Sequence, residues 1–364
     1  MSAEGNAVLG LYAAVVLSAS SAHAADPFYK GKRLTILVNH AVAGSADVEA
    51  RVFAKYINRH IPGQPAVVIQ NIEAAGGLVG TKHIGEVAPR DGSMVGYLNG
   101  AAWRYVNNPE QHRVDFKSYE FIAHQTGTSV YYVRTDVPPG MRKATDIVNA
   151  KGLIAGGLGP ENAKDLRIRL TLDLLGVPYK YVTGYRSSPP ARLALQRGEI
   201  NFYSELSPGY RAVVHPGMIA AGEALPLYYD PVYSNGVLGH STYMDGLPIA
   251  TFTELYQELN GRQPSGELWD AYATILTVIG AMQVVIVLPP EAPKAAVEAL
   301  QTAVAALAHD PDYAEEAKKT FGFLPEWHTG PDTNRRMRES LAVRPETKAF
   351  ITDYIKKSNR ETGK

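Results

Sequence analysis

Two small-residue turns near the start of the chain are spaced to hold an anion. The first lies in Leu34-Thr-Ile-Leu-Val-Asn-His-Ala-Val-Ala-Gly-Ser-Ala-Asp47, the second in Val67-Val-Ile-Gln-Asn-Ile-Glu-Ala-Ala-Gly-Gly-Leu-Val-Gly80. Each reads as an apolar strand, a turn of small residues and then a helix start. The free N–H groups and positive dipole end of a helix start attract carboxylate or phosphate. Gly44, Ser45 and Ala46 offer such groups in the first turn, and Gly76, Gly77 and Leu78 in the second. Asp47 is placed to orient a water or to cap its helix. A third loop, Asn99-Gly-Ala-Ala-Trp-Arg104, leaves the next strand at the same sheet edge, where ligands of open α/β sheets lie. There Trp103 could stack on a flat ligand and Arg104 could pair with a carboxylate, or the two could be an apolar anchor and a surface cation.

Other chemistries lack their residues. The Gly76–Gly80 loop has no G-x-G-x-x-G spacing, and Thr81 separates its last glycine from Lys82, so it is no nucleotide fingerprint. G-x-S-x-G and H-E-x-x-H are absent, there is no cysteine, and the 10 histidines form no i,i+4 pair. No catalytic residue, metal or cofactor is therefore expected. With 36 basic against 36 acidic residues, scattered, the chain has no basic stripe for nucleic acid.

The elements that position these loops alternate strand and helix, the pattern of an α/β fold with parallel strands. Leu34–Asn39, Ala66–Ile69 and Met94–Leu98 read as strands, with helices over Asp47–His60 and Gly77–Val87. Ser129–Val133, Leu153–Ala155 and Tyr179–Val182 repeat the logic. Pro160 is read as opening a helix to Leu175, and Pro189-Pro190 another. Ile275–Leu288 reads as a buried helix running into a strand. Helices follow over Lys294–His309, from an Asp312 cap to Thr320, and over Pro345–Lys357. The aromatic residues Phe202, Tyr203, Tyr210, Tyr228, Tyr229 and Tyr233 are read as packing groups.

The chain opens on an apolar run, Ala7 to Leu17, that closes on Ala22-His-Ala24, a signal-peptide pattern with cleavage near Ala24. The run is shorter than the roughly 20 residues a membrane span needs. Its head carries Glu4 where a basic residue is usual. About 340 residues remain, enough for two domains.

The ordered set of motifs resembles the tripartite tricarboxylate transporter substrate-binding proteins, the Bug receptors. Ile36–Arg51 is similar to their first strand and loop, Ala75-Gly-Gly77 with Gly80 to their second loop, and Ala88-Pro-Arg-Asp-Gly92 to their Ala-Pro-Asp-Gly turn. Tyr181-Val-Thr-Gly-Tyr-Arg-Ser-Ser-Pro-Pro-Ala191 with Leu195–Asn201, and Pro289–Pro293, continue the likeness. The departures are Asn39 for proline, Ala43 for the first glycine, Ile72-Glu73 for Arg-Pro and Leu78 for asparagine, and the stretch from Tyr228 to Ala281 is longer than usual.

The resemblance implies a two-domain periplasmic binding protein of the Venus flytrap kind, each domain a mainly parallel sheet flanked by helices. Residues 25–124 with 282–364 would form domain 1 and 125–281 domain 2. It implies a monomeric periplasmic receptor that takes a di- or tricarboxylate and delivers it to membrane transporter subunits. Trp103, the tyrosines and Leu78 leave room for an aromatic carboxylate. In the second domain the matching loops hold Gly159, Glu161, Asn162, Tyr185, Arg186 and Ser187. Arg186 would take a second carboxylate or be an exposed turn residue, and Glu161 would face away or meet a ligand hydroxyl or ammonium. His40 stands where the family has an aromatic wall; it would touch the ligand, make binding pH-sensitive, or simply pack. A sensor adaptor shares this site, and an exported α/β enzyme using an anion-binding loop is the remaining alternative.

Overall fold

The computed structural model describes residues 26–234 and 237–361. The expected signal peptide and its expected cleavage near Ala24 lie outside the described residues. The strands are β1 Arg33–Val38, β2 Ala66–Asn71, β3 Met94–Asn99, β4 Glu120–Gln125, β5 Ser129–Arg134, β6 Leu153–Gly157, β7 Tyr179–Thr183, β8 Phe202–Leu206, β9 Ala224–Tyr229, β10 Val232–Ser234, β11 Val237–Gly239, β12 Val284–Leu288 and β13 Trp327–Thr329. Five helices matter to the site: α1 Ser45–Ile57, α2 Leu78–Glu86, α3 Ala101–Asn107, α4 Ala163–Leu174 and α5 Ser188–Gln196.

The first sheet has the order β13-β4-β12-β3-β1-β2 and the second β7-β6-β8-β5-β9. β2, β1 and β3 are parallel, as are β7, β6 and β8, and helices connect them. Both sheets are mixed, because β12 runs antiparallel to β3 and β4, and β5 antiparallel to β8 and β9. These strands carry the chain between the sheets. It leaves the first sheet on β4, crosses at Thr126–Thr128 into β5, and returns through Gln283 into β12.

Strand alternation sorts the apolar residues into layers. Leu34, Ile36 and Val38 of β1, Val95 and Tyr97 of β3, and Val284, Ile286 and Leu288 of β12 pack on one face against α1 and the helices Lys294–Leu307 and Pro311–Phe321. Leu37, Leu98, Val285 and Val287 point to the opposite face and enter a larger core. That core continues without a break into the second sheet through Tyr131, Val133, Leu153 and Leu166. The helix Glu267–Ala281 fills it with Tyr272, Ile275, Leu276 and Ile279 and packs on both α3 and α4. The far face of the second sheet has its own core around Tyr132, Tyr203, Tyr210 and Leu195.

A closed polar knot fastens the long 228–281 stretch. Asp230 is fully buried and paired with Arg167, and it accepts from the Tyr131 and Tyr272 hydroxyls at 2.8 Å each. Tyr228 stacks on Tyr131 with ring centroids 4.6 Å apart and donates to Thr171. Phe202, Tyr203, Tyr210, Tyr228 and Tyr229 are all buried packing groups; the Tyr233 side chain lies outside the described residues.

Two helix starts differ from the sequence reading. α4 begins at Ala163 rather than at Pro160, because the Asn162 side chain accepts from the Lys164 amide and caps it. The helix read as capped by Asp312 is capped by Asp310, which accepts from the amides of Asp312 and Tyr313, with Pro311 at the first helical position. The last helix, Pro345–Glu361, crosses to the second-sheet side. Ile351 and Ile355 enter the shared core and the Tyr354 hydroxyl donates to Asp173 of α4.

Candidate functional site

Asn39, the residue after β1, ties three loops together. It is fully buried. Its Nδ2 donates to the Asn99 carbonyl at 3.1 Å, to Thr81 Oγ1 at 3.3 Å and to the Gly77 carbonyl at 3.4 Å, while its Oδ1 accepts from the Asn99 amide at 2.9 Å. The loops after β1, β2 and β3 therefore converge on one side chain. Nothing larger than glycine fits beside it: a Cβ on Gly77 would lie 2.7 Å from the Asn39 carbonyl oxygen, and one on Gly80 2.5 Å from that of Ile72. Gln283, on the returning strand, locks the third loop by donating to Asn99 Oδ1 at 3.1 Å and accepting from the Gly100 amide.

Asp47 neither caps α1 from the N-cap position nor faces open space. It is 1% exposed. One carboxylate oxygen accepts from the Ala43 amide and from Arg51 Nε, both at 2.8 Å, and the other from Asn71 Nδ2 at 2.9 Å. Burial opposes its charge, yet these donors hold its pKa below the usual carboxylate range. Asp47 thus staples the first loop into a shape that puts Ala43 at a φ of 63°. Gly44 is the N-cap of α1 and no side chain caps that helix, so its first-turn amides keep no side-chain acceptor. Ala46 is buried in this turn; the Ser45 side chain lies outside the described residues.

Two of the three amides the sequence suggested in the second loop, those of Gly77 and Leu78, are taken up within the chain. Ala75–Gly77 winds into a 3₁₀ turn, with the amides of Gly77, Leu78 and Val79 donating to the carbonyls of residues 73–75. Gly76 contributes clearance instead. It lies beside the Arg104 guanidinium, where a Cβ would sit 3.6 Å from Nη2.

Arg104 is the electrostatic centre. It is half-buried among the three loops, and its Nη1 donates to the Asn99 carbonyl at 3.2 Å. Among the described residues no carboxylate lies within ion-pair distance of it. Burial without compensation lowers its pKa to about 10. His40 shares this environment. Its Nδ1 donates to Asn39 Oδ1 at 2.9 Å, and burial together with the Arg104 charge lowers its pKa to about 4. It is therefore neutral at physiological pH, with Nε2 left as an acceptor, which removes a neutral-pH switch at this residue. Trp103 is 3% exposed and donates its indole N–H to the Glu161 carbonyl at 3.0 Å. It anchors α3 to the second domain's loop instead of stacking on a ligand.

The second sheet repeats the device. Asp165, three residues into α4, reaches back to the Gly159 amide at 2.9 Å as Asp47 reaches Ala43. Glu161 is exposed and accepts from Asn108 Nδ2 of the first half, so it faces away from an anion. Asn162 is the cap of α4. Tyr185 is half-buried against the far-face core, and Arg186 and Ser187 are exposed. The buried cation of this edge is Lys164, which sequence reading missed.

No family model and no curated protein matches the chain. Solved structures do match its shape. A TctC solute-binding protein from Polaromonas aligns with a TM-score of 0.61 at 17% identity, covering 90% of this chain and 99% of that one. The periplasmic binding protein BugD gives 0.59 at 18% identity, covering 92% and 98%. The Rpa4515 protein of R. palustris with adipate gives 0.59 at 16%, covering 91% and 97%. The fold is the one these proteins share. In it the loop after β6 meets α3 through the Trp103–Glu161 bond, with Arg104 on the first side.

Proposed function

We propose that the chain is a periplasmic solute-binding receptor for a small organic carboxylate, which it delivers to a membrane transporter of the tripartite tricarboxylate kind. Arg104 is the observation that carries this reading. An arginine held among three loops with, among the described residues, only a carbonyl for a hydrogen-bond partner is costly unless an anion arrives. The uncapped start of α1 adds a positive dipole end, and Asn39 and Asp47 fix the loops beforehand, so binding does not have to order them. The two sheets divide the chain after β4 and again before β12, with the last helix, Pro345–Glu361, packed on the second-sheet side. The ligand lies between them and both sides touch it on closure. The receptor works as a monomer and does no chemistry on its ligand. The A-x-A leader and the adipate bound by a protein of the same fold support this reading. A thermal-shift screen of mono-, di-, tri- and aromatic carboxylates against the full mature chain tests it. At least one should raise Tm by several degrees; a flat response across the panel would remove the reading's basis.

A further inference from the structure

We infer that Lys164, with Ser188 and Tyr203, forms a second anion subsite that reads the far end of the ligand. The inference rests on the receptor reading above. Lys164 is the second residue of α4 and is 8% exposed. Its ammonium lies 4.2 Å from the centre of the Tyr203 ring, donates to the Tyr203 hydroxyl and reaches Ser188 Oγ at 3.5 Å. Among the described residues no carboxylate comes within ion-pair distance of it. Asp165 is next in sequence and its charge is favoured by the ammonium, but it makes no ion pair with it, its Oδ2 being held by the Gly159 amide and the Tyr181 hydroxyl.

The surrounding cations show the usual solutions. Arg167 pairs with Asp230, Arg192 pairs with Glu205, and Arg169 donates to two backbone carbonyls and lies over two tyrosine rings. Lys164 has two neutral hydroxyls. Both accept from the ammonium, and the Tyr203 hydroxyl donates in turn to Ser188 Oγ at 3.5 Å, so an incoming carboxylate would meet two donors, the Ser188 hydroxyl and the remaining ammonium hydrogen. The placement fits. Lys164 follows β6, Ser188 opens α5 after β7, and Tyr203 lies on β8, so three parallel strands deliver the group. The start of α5 has no side-chain cap. Arg104 is delivered in the same way in the first sheet. The two cations flank one contact, since Trp103 is bonded to Glu161, three residues before Lys164. Lys164 thus takes the role the sequence assigned to Arg186.

Calorimetric titration of the full mature chain with straight-chain dicarboxylates from succinate to pimelate, and with monocarboxylates of matching length, tests the assignment. The wild type should prefer one dicarboxylate over its monocarboxylate by about 100-fold, the scale of a buried charged pair. Lys164→Met should abolish that preference and leave monocarboxylate Kd within about 3-fold, while Lys164→Arg, the control for folding, should retain most of it. A wild type that binds both series equally, or a folded Lys164→Met protein with unchanged dicarboxylate Kd, overturns the subsite and leaves the receptor reading standing. A wild type that binds neither series overturns the subsite, and the receptor reading falls with it only if the wider carboxylate panel is also flat.

Discussion

Replacing Arg104 with methionine should stabilise the unliganded protein while nearly abolishing its response to carboxylates. A guanidinium pKa lowered from its ordinary value to about 10 corresponds to about 3 kcal/mol of unfavourable folding free energy, at about 1.4 kcal/mol per tenfold change in the ionisation constant. The sign follows from arginine being a base with a depressed folded pKa. The penalty is present in full below about pH 10 and vanishes only above the ordinary guanidinium range. Methionine keeps an unbranched stem, removes the charge and forfeits the bond to the Asn99 carbonyl, worth about 1 kcal/mol. The net gain is about 2 kcal/mol, or a rise of roughly 4 °C in Tm, constant between pH 5 and pH 9. Losing the cation should weaken carboxylate binding by at least about 30-fold. Scanning calorimetry and titration on the same preparation check both halves. A variant with lower Tm and undiminished affinity would show that Arg104 is a structural cation, and the site would have to be sought elsewhere.

Three further outcomes follow from the same geometry. Ala43→Gly should raise stability by about 0.5–1 kcal/mol in denaturant unfolding, because Ala43 holds a φ of 63° that glycine adopts without strain. Asn39→Ala should cost about 2–4 kcal/mol and weaken ligand binding in parallel, since it strands the Asn99 amide and frees all three loops; unchanged affinity by titration would deny it the positioning role. Glu49→Gln should flatten the pH dependence of stability. Burial raises the Glu49 pKa to about 7, so its contribution is fully present below the ordinary glutamate range and lost as pH rises through about 7, a change of at most about 3 kcal/mol. Chemical melts at half-unit pH steps would reveal the difference.

The loops were legible because strand, turn and helix leave local signatures. The apolar run of β1, the glycines after β2 and the Asn-Gly after β3 place three loops at one sheet edge without any tertiary knowledge. What each loop does with its amides was not legible. The 3₁₀ turn at Ala75–Gly77 withdraws three of them, and its cause, the close approach of Asn39 to Gly77, joins residues 38 positions apart. Asn39 carried a signal, as a polar residue at the end of an apolar strand, and so did Gln283, the one amide in the apolar run Ile275–Leu288. Both were visible as exceptions whose partners only the fold supplies. Lys164 gave no such sign. An exposed and a buried lysine look alike in sequence, and the rings and hydroxyls that bury this one come from β8 and α5.

The core that runs from Leu37 and Leu98 through the helix Glu267–Ala281 to Tyr131 and Leu166 bears on how the molecule comes apart. Heat should melt it in one cooperative calorimetric transition, because neither sheet can lose its inner face without uncovering the other's. For the same reason the two halves should not be interchangeable modules. A chimera that grafts the second half onto another protein of this fold would expose the apolar seam unless α3 and the long 228–281 stretch travel together. Any opening that admits ligand must then rotate about that seam, leaving it intact.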